Sequence, residues 1–228
     1  MKGETIISDM KKAILSVLLI ILLVSCSTSR ADDFSSIDPD RAMLILLQAE
    51  RNALISTENS SLYAGGNITL PEAWTVYSQA LPQFRSLLDD YLTAITDSID
   101  NAMSDVTDYL FTCIDNMVID NVYAYFESGY SSLTDELRLQ HSDEIRNIFL
   151  TSLEDSSASI GESWQRLSRE ARIWRENLLN LELVGQAVEV PVLESVSTES
   201  IADYAVNAYF STLAGNEIIQ RDRLMSST

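Results

Sequence analysis

Cys26 is the residue whose surroundings predict a definite chemical modification. It follows Ser25 at the end of a short apolar run, residues 13–24, and that run follows Lys11 and Lys12. A basic segment, a short apolar segment and a small residue before a cysteine are typical of a bacterial lipoprotein signal peptide. We therefore expect cleavage before Cys26 and attachment of lipid to its sulfur and to its new amino group. In the alternative, an ordinary secretory signal, this cysteine would be incidental.

Lipid on Cys26 is the membrane contact that we expect for this protein. The apolar run is too short to cross a bilayer comfortably as a permanent helix, whereas several acyl chains on one residue would form a lasting anchor. Ser27 stands where inner-membrane lipoproteins of Gram-negative bacteria carry an aspartate. We therefore expect the outer membrane, with the protein facing the periplasm. Translation can start at Met1 or at Met10, and Met10 is the more typical start, because Glu4 and Asp9 weaken the basic segment.

Carboxylates recur along one face of a helix that the sequence predicts over residues 92–117. They are Asp97, Asp100, Asp108 and Asp115, and carboxylate oxygens are the ligands that calcium and magnesium prefer. Carboxylates along a straight helix spread apart instead of surrounding one cation. We interpret this row as the solvated outer face of a bundle helix and predict no metal site.

Histidine and thiol chemistry have few candidates in this chain. His141 is its only histidine, and Ser142 after it is typical of a helix start. A lone histidine cannot build a multi-histidine metal site, and we expect His141 to be an exposed loop or cap residue. Cys113 lies in an apolar helical stripe, which favours a buried, small hydrophobic side chain over a reactive thiol. If Cys26 carries lipid, Cys113 has no partner for an intramolecular disulfide.

Common catalytic and cofactor motifs are absent from the sequence. It contains no Gly-x-Ser-x-Gly, no phosphate-binding loop, no Gly-x-Gly-x-x-Gly and no Cys-x-x-Cys. A pair of carboxylates acting as acid and base is the one kind of catalysis that the residue types allow. We therefore expect no cofactor and no enzyme activity, and we keep a carboxylate enzyme as the least favoured alternative.

A row of arginines recurs every third residue on the predicted helix that contains Trp164 and Trp174. The row consists of Arg166, Arg169, Arg172 and Arg175. An amphipathic helix rich in arginine and tryptophan can lie on an anionic membrane or contact a partner. Glu162, Glu170 and Glu176 lower the local charge, and the tryptophans share the stripe that should face the core. We therefore favour ion pairs between these arginines and acidic helices of the same chain.

Two groups of aromatic residues are candidates for lining an apolar pocket between helices, where helical bundles place their ligands. The candidates are Tyr123 and Phe126 in one group and Tyr209 and Phe210 in the other. A helical core whose tyrosine hydroxyls reach the surface explains the same residues, and we favour that interpretation.

Helices must position all of these residues, because apolar periodicity predicts an all-α, single-domain bundle of about six to eight helices. We expect the first helix to begin at Pro39, to be deeply buried around residues 43–47, and to be followed by a loop over residues 56–70. The second helix should begin at Pro71, and Pro82 should kink or split it.

The later elements follow from apolar stripes and from capping residues. The stripe over residues 92–117 predicts one long helix. After it we expect a short helix capped by Asp120 that runs to about Phe126, with Gly129 ending it, and then a helix over residues 142–155. A break over residues 156–161 should separate that helix from an amphipathic helix that runs to about Leu181. Residues 184–196 should form an extended crossover with room for one short strand, and a final helix, capped by Ser197 or Thr198, should run to about Arg221.

The chain divides into a signal peptide over residues 1–25, a lipidated cysteine with its tether over residues 26–38, and one helical domain over residues 39–228. The formal net charge is −19, and it becomes −20 without the signal, whose three lysines exceed its two acidic residues by one. Such a charge argues against binding to nucleic acid or, through long-range attraction, to an anionic membrane face.

Several stretches resemble one family of bacterial envelope proteins, which is catalogued as a domain of unknown function and often carries a lipoprotein signal. The resemblance runs in order through most of the chain after the signal and consists of Ile68-Thr69-Leu70-Pro71-Glu72, Ala102, residues 113–120, Ile148-Phe149-Leu150, and residues 201–210 with Leu213, Ala214 and Glu217. Thr96-Asp97 and Gly215-Asn216 depart from the family's pattern. The resemblance implies an all-helical fold and brings no activity or functional residue with it.

We therefore expect a lipid-anchored envelope protein that acts by binding or by structural contact, and whose partner could be another envelope protein. The first alternative is a carrier or sensor that holds an apolar ligand between its helices. A cavity at the aromatic groups would favour the carrier. Two converging carboxylates with raised pKa values in a cleft would favour the enzyme.

Overall fold

A computed structural model describes residues 37–62, 72–182 and 192–226, which form seven α-helices and no strand. The helices are α1 (Pro39–Glu58), α2 (Glu72–Ala80), α3 (Pro82–Asp115), α4 (Val122–Glu127), α5 (Ser132–Asp155), α6 (Ser157–Glu182) and α7 (Thr198–Ser226). All of them belong to one compact unit, Pro39–Thr228. The predicted all-α class is confirmed, and so is the predicted number of helices.

α3 is the longest of these helices, with 34 residues, and it contains the apolar stripe of the sequence as far as Cys113. It begins ten residues before the predicted start at Leu92 and ends at Asp115, two residues before the predicted end at Met117. Ile95, Ile99 and Met103 of that stripe are buried. Pro82 is the first residue of α3, and Leu81 before it is extended, with φ −125° and ψ 107°. Because the residue before a proline is disfavoured in the helical conformation, the proline ends α2 and starts a new helix. The predicted split at Pro82 is confirmed.

α5 begins at Ser132, so the predicted helix start at Ser142 is wrong. Buried apolar residues recur at every fourth position on both sides of His141, at Leu133, Leu137, Ile145, Phe149 and Leu153. His141 occupies the remaining position of this stripe. The polar residues from Ser142 onward have the composition of a helix N-terminus, although they lie inside the helix. Burial of the stripe keeps the helix continuous, since packing of an apolar face contributes more to helix stability than local propensity does.

The break between α5 and α6 is the single residue Ser156, which is shorter than the predicted break over residues 156–161. Residues 157–161 are already helical, and the backbone N–H of Ile160 donates to the carbonyl oxygen of Ser156 at 3.1 Å. The serine-rich composition lowers helix propensity only weakly, and tertiary packing overrides it.

The ends of α4 and α7 differ from the predictions by a few residues. Asn121, and not Asp120, directly precedes α4, and Gly129 after α4 adopts a φ of 123°, a conformation that favours glycine. Ser197 caps α7, because its Oγ accepts a hydrogen bond from the backbone N–H of Ser200 at 3.2 Å. α7 then runs to Ser226, beyond the predicted end near Arg221.

α1 begins at Pro39, as predicted, and ends at Glu58, inside the predicted loop. Its apolar run over residues 43–47 is not buried on all sides, because Leu46 is fully buried while Leu44 is 65% exposed. One face of α1 packs on α7, and the opposite face meets solvent.

The helices pack in two overlapping groups. α7 packs against α1 and α5, while α3 packs against α5, α6, α1 and α2. Residues 192–197 have no regular structure, and the indole N–H of Trp74 in α2 donates to the carbonyl oxygen of Glu194 at 3.2 Å. The rest of the predicted crossover lies outside the described residues, as does Pro71. None of the described helices is both long and apolar enough to cross a membrane.

Candidate functional site

The arginine groove is an opening of about 540 Å³ between α6, α2 and the segment of residues 192–197. It is lined by Tyr77 of α2, by Gln165, Ser168, Arg169, Ala171, Arg172 and Arg175 of α6, and by Val192 and Leu193. Three of the four arginines in the predicted row therefore converge on one opening, and Arg166 lies outside its lining. The groove combines a cationic wall with an apolar one.

The arginines of this groove have no acidic partner among the residues that the structure describes. The ion pairs between described residues are Arg51–Asp115, Arg146–Asp203 and Arg221–Glu217. In the described part of the chain, the Nε atom of Arg175 is shielded from water and has no hydrogen-bond partner. The prediction that this row forms ion pairs with acidic helices is therefore not met there, because Arg169, Arg172 and Arg175 face the groove.

Tyr77 forms the floor of the groove and packs on other aromatic rings. Tyr77 is only 1% exposed, and its ring lies 5.2 Å from the Trp174 ring in an edge-to-face arrangement and 5.4 Å from the Phe84 ring. Burial raises the pKa of the Tyr77 hydroxyl, and the positive charge of Arg175 opposes that rise. Tyr77 is therefore protonated at neutral pH. Trp164 and Trp174 pack against the core, as predicted, and both are half-buried.

A second set of charged side chains, the buried carboxylate cluster, lies where α1, α5 and α7 meet. It comprises Glu50 of α1, Thr134 of α5, and Glu217 and Arg221 of α7, and each of these residues is at most 1% exposed. The backbone N–H of Thr134 donates to Glu217 at 2.9 Å, and its hydroxyl donates to Glu50 at 3.2 Å. Arg221 forms an ion pair with Glu217, one helical turn away.

Arg221 also holds the turn between α4 and α5. Its guanidinium donates to the carbonyl oxygens of Gly129 at 3.0 Å and Tyr125 at 3.2 Å, and to the Oγ of Ser132 at 3.0 Å. Its central carbon lies 5.3 Å from the centre of the Phe126 ring, in a cation–π contact. A buried charge is tolerated only when it is paired and hydrogen-bonded, and Arg221 meets both conditions.

The surroundings of Glu50 favour its protonated form. Burial raises its pKa well above the usual range, and the charge of Glu217 raises it further, while Thr134 and Arg221 act in the opposite direction. With Glu50 neutral, Glu217 and Arg221 remain as one balanced pair. Two carboxylates thus converge, as an acid–base enzyme would require. They lie in the interior and not in a cleft, so a substrate has no access to them in this structure.

None of the predictions from the sequence includes this cluster. From the sequence, Glu217 is named only as part of the family resemblance, and Arg221 only as the approximate end of the last helix. The pattern that could have predicted the cluster is the presence of charged residues at positions that belong to an apolar helical stripe. Glu217 and Arg221 continue the stripe of Val206, Phe210 and Leu213 in steps of three and four residues.

His141 lies in the middle of α5 and is half-buried, so the prediction of an exposed loop or cap residue is wrong. Its Nδ1 atom is 3.0 Å from the hydroxyl oxygen of Tyr109 and 3.8 Å from the sulfur of Cys113. Burial raises the pKa of Tyr109 to about 12, and it also raises the pKa of the Cys113 thiol. The thiol is therefore not an activated nucleophile. Cys113 is half-buried, so the predicted burial of its side chain is met only in part.

The four aspartates of the acidic row are exposed on α3, as predicted. Asp115 pairs with Arg51 of α1. Burial and the neighbouring Asp97 both raise the pKa of Asp100. Within the described ranges, no group of three or more His, Cys, Asp or Glu side chains could hold a metal ion.

The four aromatic candidates for an apolar ligand belong to packed parts of the described structure. Tyr209 and Phe210 are at most 1% exposed, and their rings meet edge to face at 5.8 Å. Phe126 is buried beneath Arg221, and Tyr123 is half-buried on α4. These rings fill the interior, and none of them lines the arginine groove.

Comparison with known proteins does not identify a relative. No protein-family model, curated protein or solved structure matches this chain. Cys26 lies outside the described residues. Its lipidation and the resemblance to the envelope family therefore stay predictions.

Proposed function

We propose that this chain is a lipid-anchored protein of the bacterial cell envelope that acts by binding an anionic ligand in the arginine groove. Lipid on Cys26 would hold it in the outer membrane, and the helical domain over residues 39–228 would present the groove to the periplasm. The proposal includes no catalytic step, no cofactor and no nucleic acid.

The observation that carries the proposal is the row of guanidinium groups along the groove. Arg169 and Arg172 are exposed and Arg175 is half-buried, and no acidic side chain among the described residues pairs with them. This is notable in a chain with 34 acidic residues and only 15 basic ones. Residues three apart are neighbours on a helix surface, where like charges repel. A bound anion would relieve that repulsion and supply acceptors for the guanidinium donors.

The dimensions and the floor of the groove support a ligand of small-molecule size. Its volume of about 540 Å³ lies within the range of roughly 300–1,000 Å³ that is common for such sites. The floor is held in place by the contact of Tyr77 with Trp174. A site whose floor is already ordered loses less conformational entropy when a ligand binds.

The two alternatives receive less support. A carrier of an apolar ligand would need space among Tyr123, Phe126, Tyr209 and Phe210, and their surroundings in the described structure are packed. An enzyme with paired carboxylates would need access to the buried carboxylate cluster, which is shielded from solvent.

Native mass spectrometry tests the proposed binding on full-length protein extracted from its own membrane in neutral detergent. We expect a non-covalent adduct on the wild-type protein and its loss from the double variant Arg169→Gln with Arg172→Gln. Arg223→Gln is the matched control, because Arg223 is exposed on α7 and lies outside the groove lining. An adduct that survives the double substitution, or a wild-type protein that carries none, would contradict the proposal.

The proposed anchor is tested at Cys26. The Cys26→Ser variant should accumulate as an unprocessed precursor and incorporate no labelled palmitate, because the sulfur that receives the lipid is missing. Cys113→Ser is the control and should be processed and labelled like the wild type. Normal processing and membrane retention of Cys26→Ser would show that the anchor lies elsewhere.

A further inference from the structure

We propose that the ligand of the arginine groove is a phosphate monoester carried on an apolar group. The inference rests on the proposed function and adds to it the chemical class of the ligand. Its basis is the composition of the two walls of the groove and the charge of the rest of the chain.

The cationic wall suits a phosphate better than a carboxylate. An α-helix rises about 1.5 Å per residue, so Arg169, Arg172 and Arg175 follow one another at intervals of about 4.5 Å along α6. One carboxylate with two oxygens can satisfy one guanidinium in a bidentate pair. A phosphate monoester offers three terminal oxygens and, at neutral pH, between one and two negative charges. Three guanidiniums in a row are matched by the larger number of acceptors and by the higher charge.

A neutral group on the same wall of α6 adds to this match. Gln165 lines the groove beside the arginines, and its side-chain amide can donate hydrogen bonds without adding charge. The hydroxyl of Ser168, which also lines the groove, donates to the carbonyl oxygen of Gln165 at 3.3 Å. The Nε atom of Arg175 is shielded from water and has no hydrogen-bond partner in the described part of the chain. A ligand in the groove would therefore meet the terminal N–H groups of this guanidinium.

The opposite wall predicts an apolar body on the ligand. It consists of Val192 and Leu193, with Tyr77 as the floor and Ala171 beside the arginines. Val192 is 59% exposed, so much of its apolar surface faces solvent. A hydrocarbon or an aromatic ring attached to the phosphate would cover that surface while the arginines hold the head group.

The charge of the whole chain selects a small ligand over a polyanion. With a formal net charge of −19, the molecule repels nucleic acids and anionic bilayers, whose many negative charges add up as they approach. Salt screens such interactions beyond about 8 Å at physiological ionic strength. A single phosphate that enters the groove experiences mainly the nearby guanidiniums. The same head group could come from a free organic phosphate or from a phosphate-bearing lipid released as a monomer.

Isothermal titration calorimetry on the full-length protein in neutral maltoside micelles tests this inference. The probes are phenyl phosphate, benzoate and inorganic phosphate at matched ionic strength. We expect phenyl phosphate to bind about tenfold or more tightly than either of the others. Arg172→Gln should weaken its binding by about tenfold or more, as for the loss of a charge-assisted hydrogen bond. Arg172→Lys should recover only part of the affinity, because lysine lacks the planar fork.

Further variants separate the two walls. Val192→Thr keeps the shape of the side chain. It should weaken the binding of phenyl phosphate and leave the affinity for inorganic phosphate unchanged. Arg223→Gln should change neither of these two affinities. Circular dichroism is used to check that each variant is folded. Dihexanoyl phosphatidate is the lipid probe. If dihexanoyl phosphatidate binds more tightly than phenyl phosphate, the ligand is a lipid. If it binds more weakly, the ligand is a free organic phosphate. Both results support a phosphate monoester carried on an apolar group.

Several results would overturn the inference. They are equal binding of benzoate and phenyl phosphate, tight binding of inorganic phosphate alone, and binding that is unchanged in Arg172→Gln. If phenyl phosphate fails to bind while the native adduct still depends on Arg169 and Arg172, this inference fails and the proposed function stands. If that adduct is also independent of both arginines, the proposed function fails as well.

Discussion

At the scale of single residues, protonation of Glu50 is coupled to folding. Its side chain is fully buried beside Glu217 and Thr134, and burial raises its pKa above the usual value of 4.5. Above pH 4.5 the unfolded chain releases this proton while the folded chain keeps it. The folded state therefore binds more protons, and the free energy of unfolding falls as the pH rises from about 4.5 toward the folded pKa.

Glu50→Gln should remove this pH dependence. The amide has nearly the same shape and can donate a hydrogen bond to Glu217, as the protonated carboxyl does. From about pH 4.5 up to the folded-state pKa of Glu50, the stability of the wild type should fall more steeply than that of the variant, by up to about 1.4 kcal/mol per pH unit, the limit for one proton. Urea denaturation at each pH measures both slopes. Glu154→Gln, an exposed position on α5, should keep the wild-type slope, and equal slopes for Glu50→Gln and the wild type would refute the coupling.

At the scale of elements, α6 serves both the core and the groove. Leu167 and Ala171 are buried against the rest of the bundle, and Trp164 and Trp174 are half-buried beside them. The arginines occupy the neighbouring edge of the same helix. Packing on the apolar edge therefore fixes the rotation of α6 and, with it, the direction in which the guanidinium groups point.

Trp174→Ala should destabilise the fold by about 2–3 kcal/mol. This is less than the roughly 3–5 kcal/mol for a fully buried large aromatic, because Trp174 is only half-buried. The variant also loses the edge-to-face contact with Tyr77 at 5.2 Å. Chemical denaturation measures the change, with Leu139→Ala as the control, since Leu139 is 81% exposed and should change stability by less than about 0.5 kcal/mol. A loss as small as that of the control would mean that Trp174 does not contribute to the core.

Local signals explain which elements could be predicted from the sequence. Pro39 and Pro82 mark helix starts because proline acts on its own neighbours, and the stripe of α3 is long enough to be unambiguous. The start of α5 was missed because burial of Leu133 and Leu137 depends on helices that are distant in the chain. The arginine row is visible in the sequence, but its meeting with Tyr77 and residues 192–193 is not.

At the scale of the whole molecule, the distribution of charge separates the groove from the rest of the surface. The acidic row of α3 is exposed, and the net charge is −19. Only one basic side chain, Arg51, pairs with that row among the described residues. Arg169, Arg172 and Arg175 of α6 instead lie together at one opening. A molecule with this pattern keeps polyanions away and still offers a local site for a small anion.

Occupancy of the groove is the most direct test of this account. A high-resolution crystal structure of the protein, purified from its own membrane without exchange of bound molecules, would reveal it. We predict electron density for a bound anion in contact with Arg169, Arg172 and Arg175, with any apolar part against Tyr77 and Val192. Guanidinium groups paired with acidic side chains of the same chain, with no density between the two walls, would contradict the account.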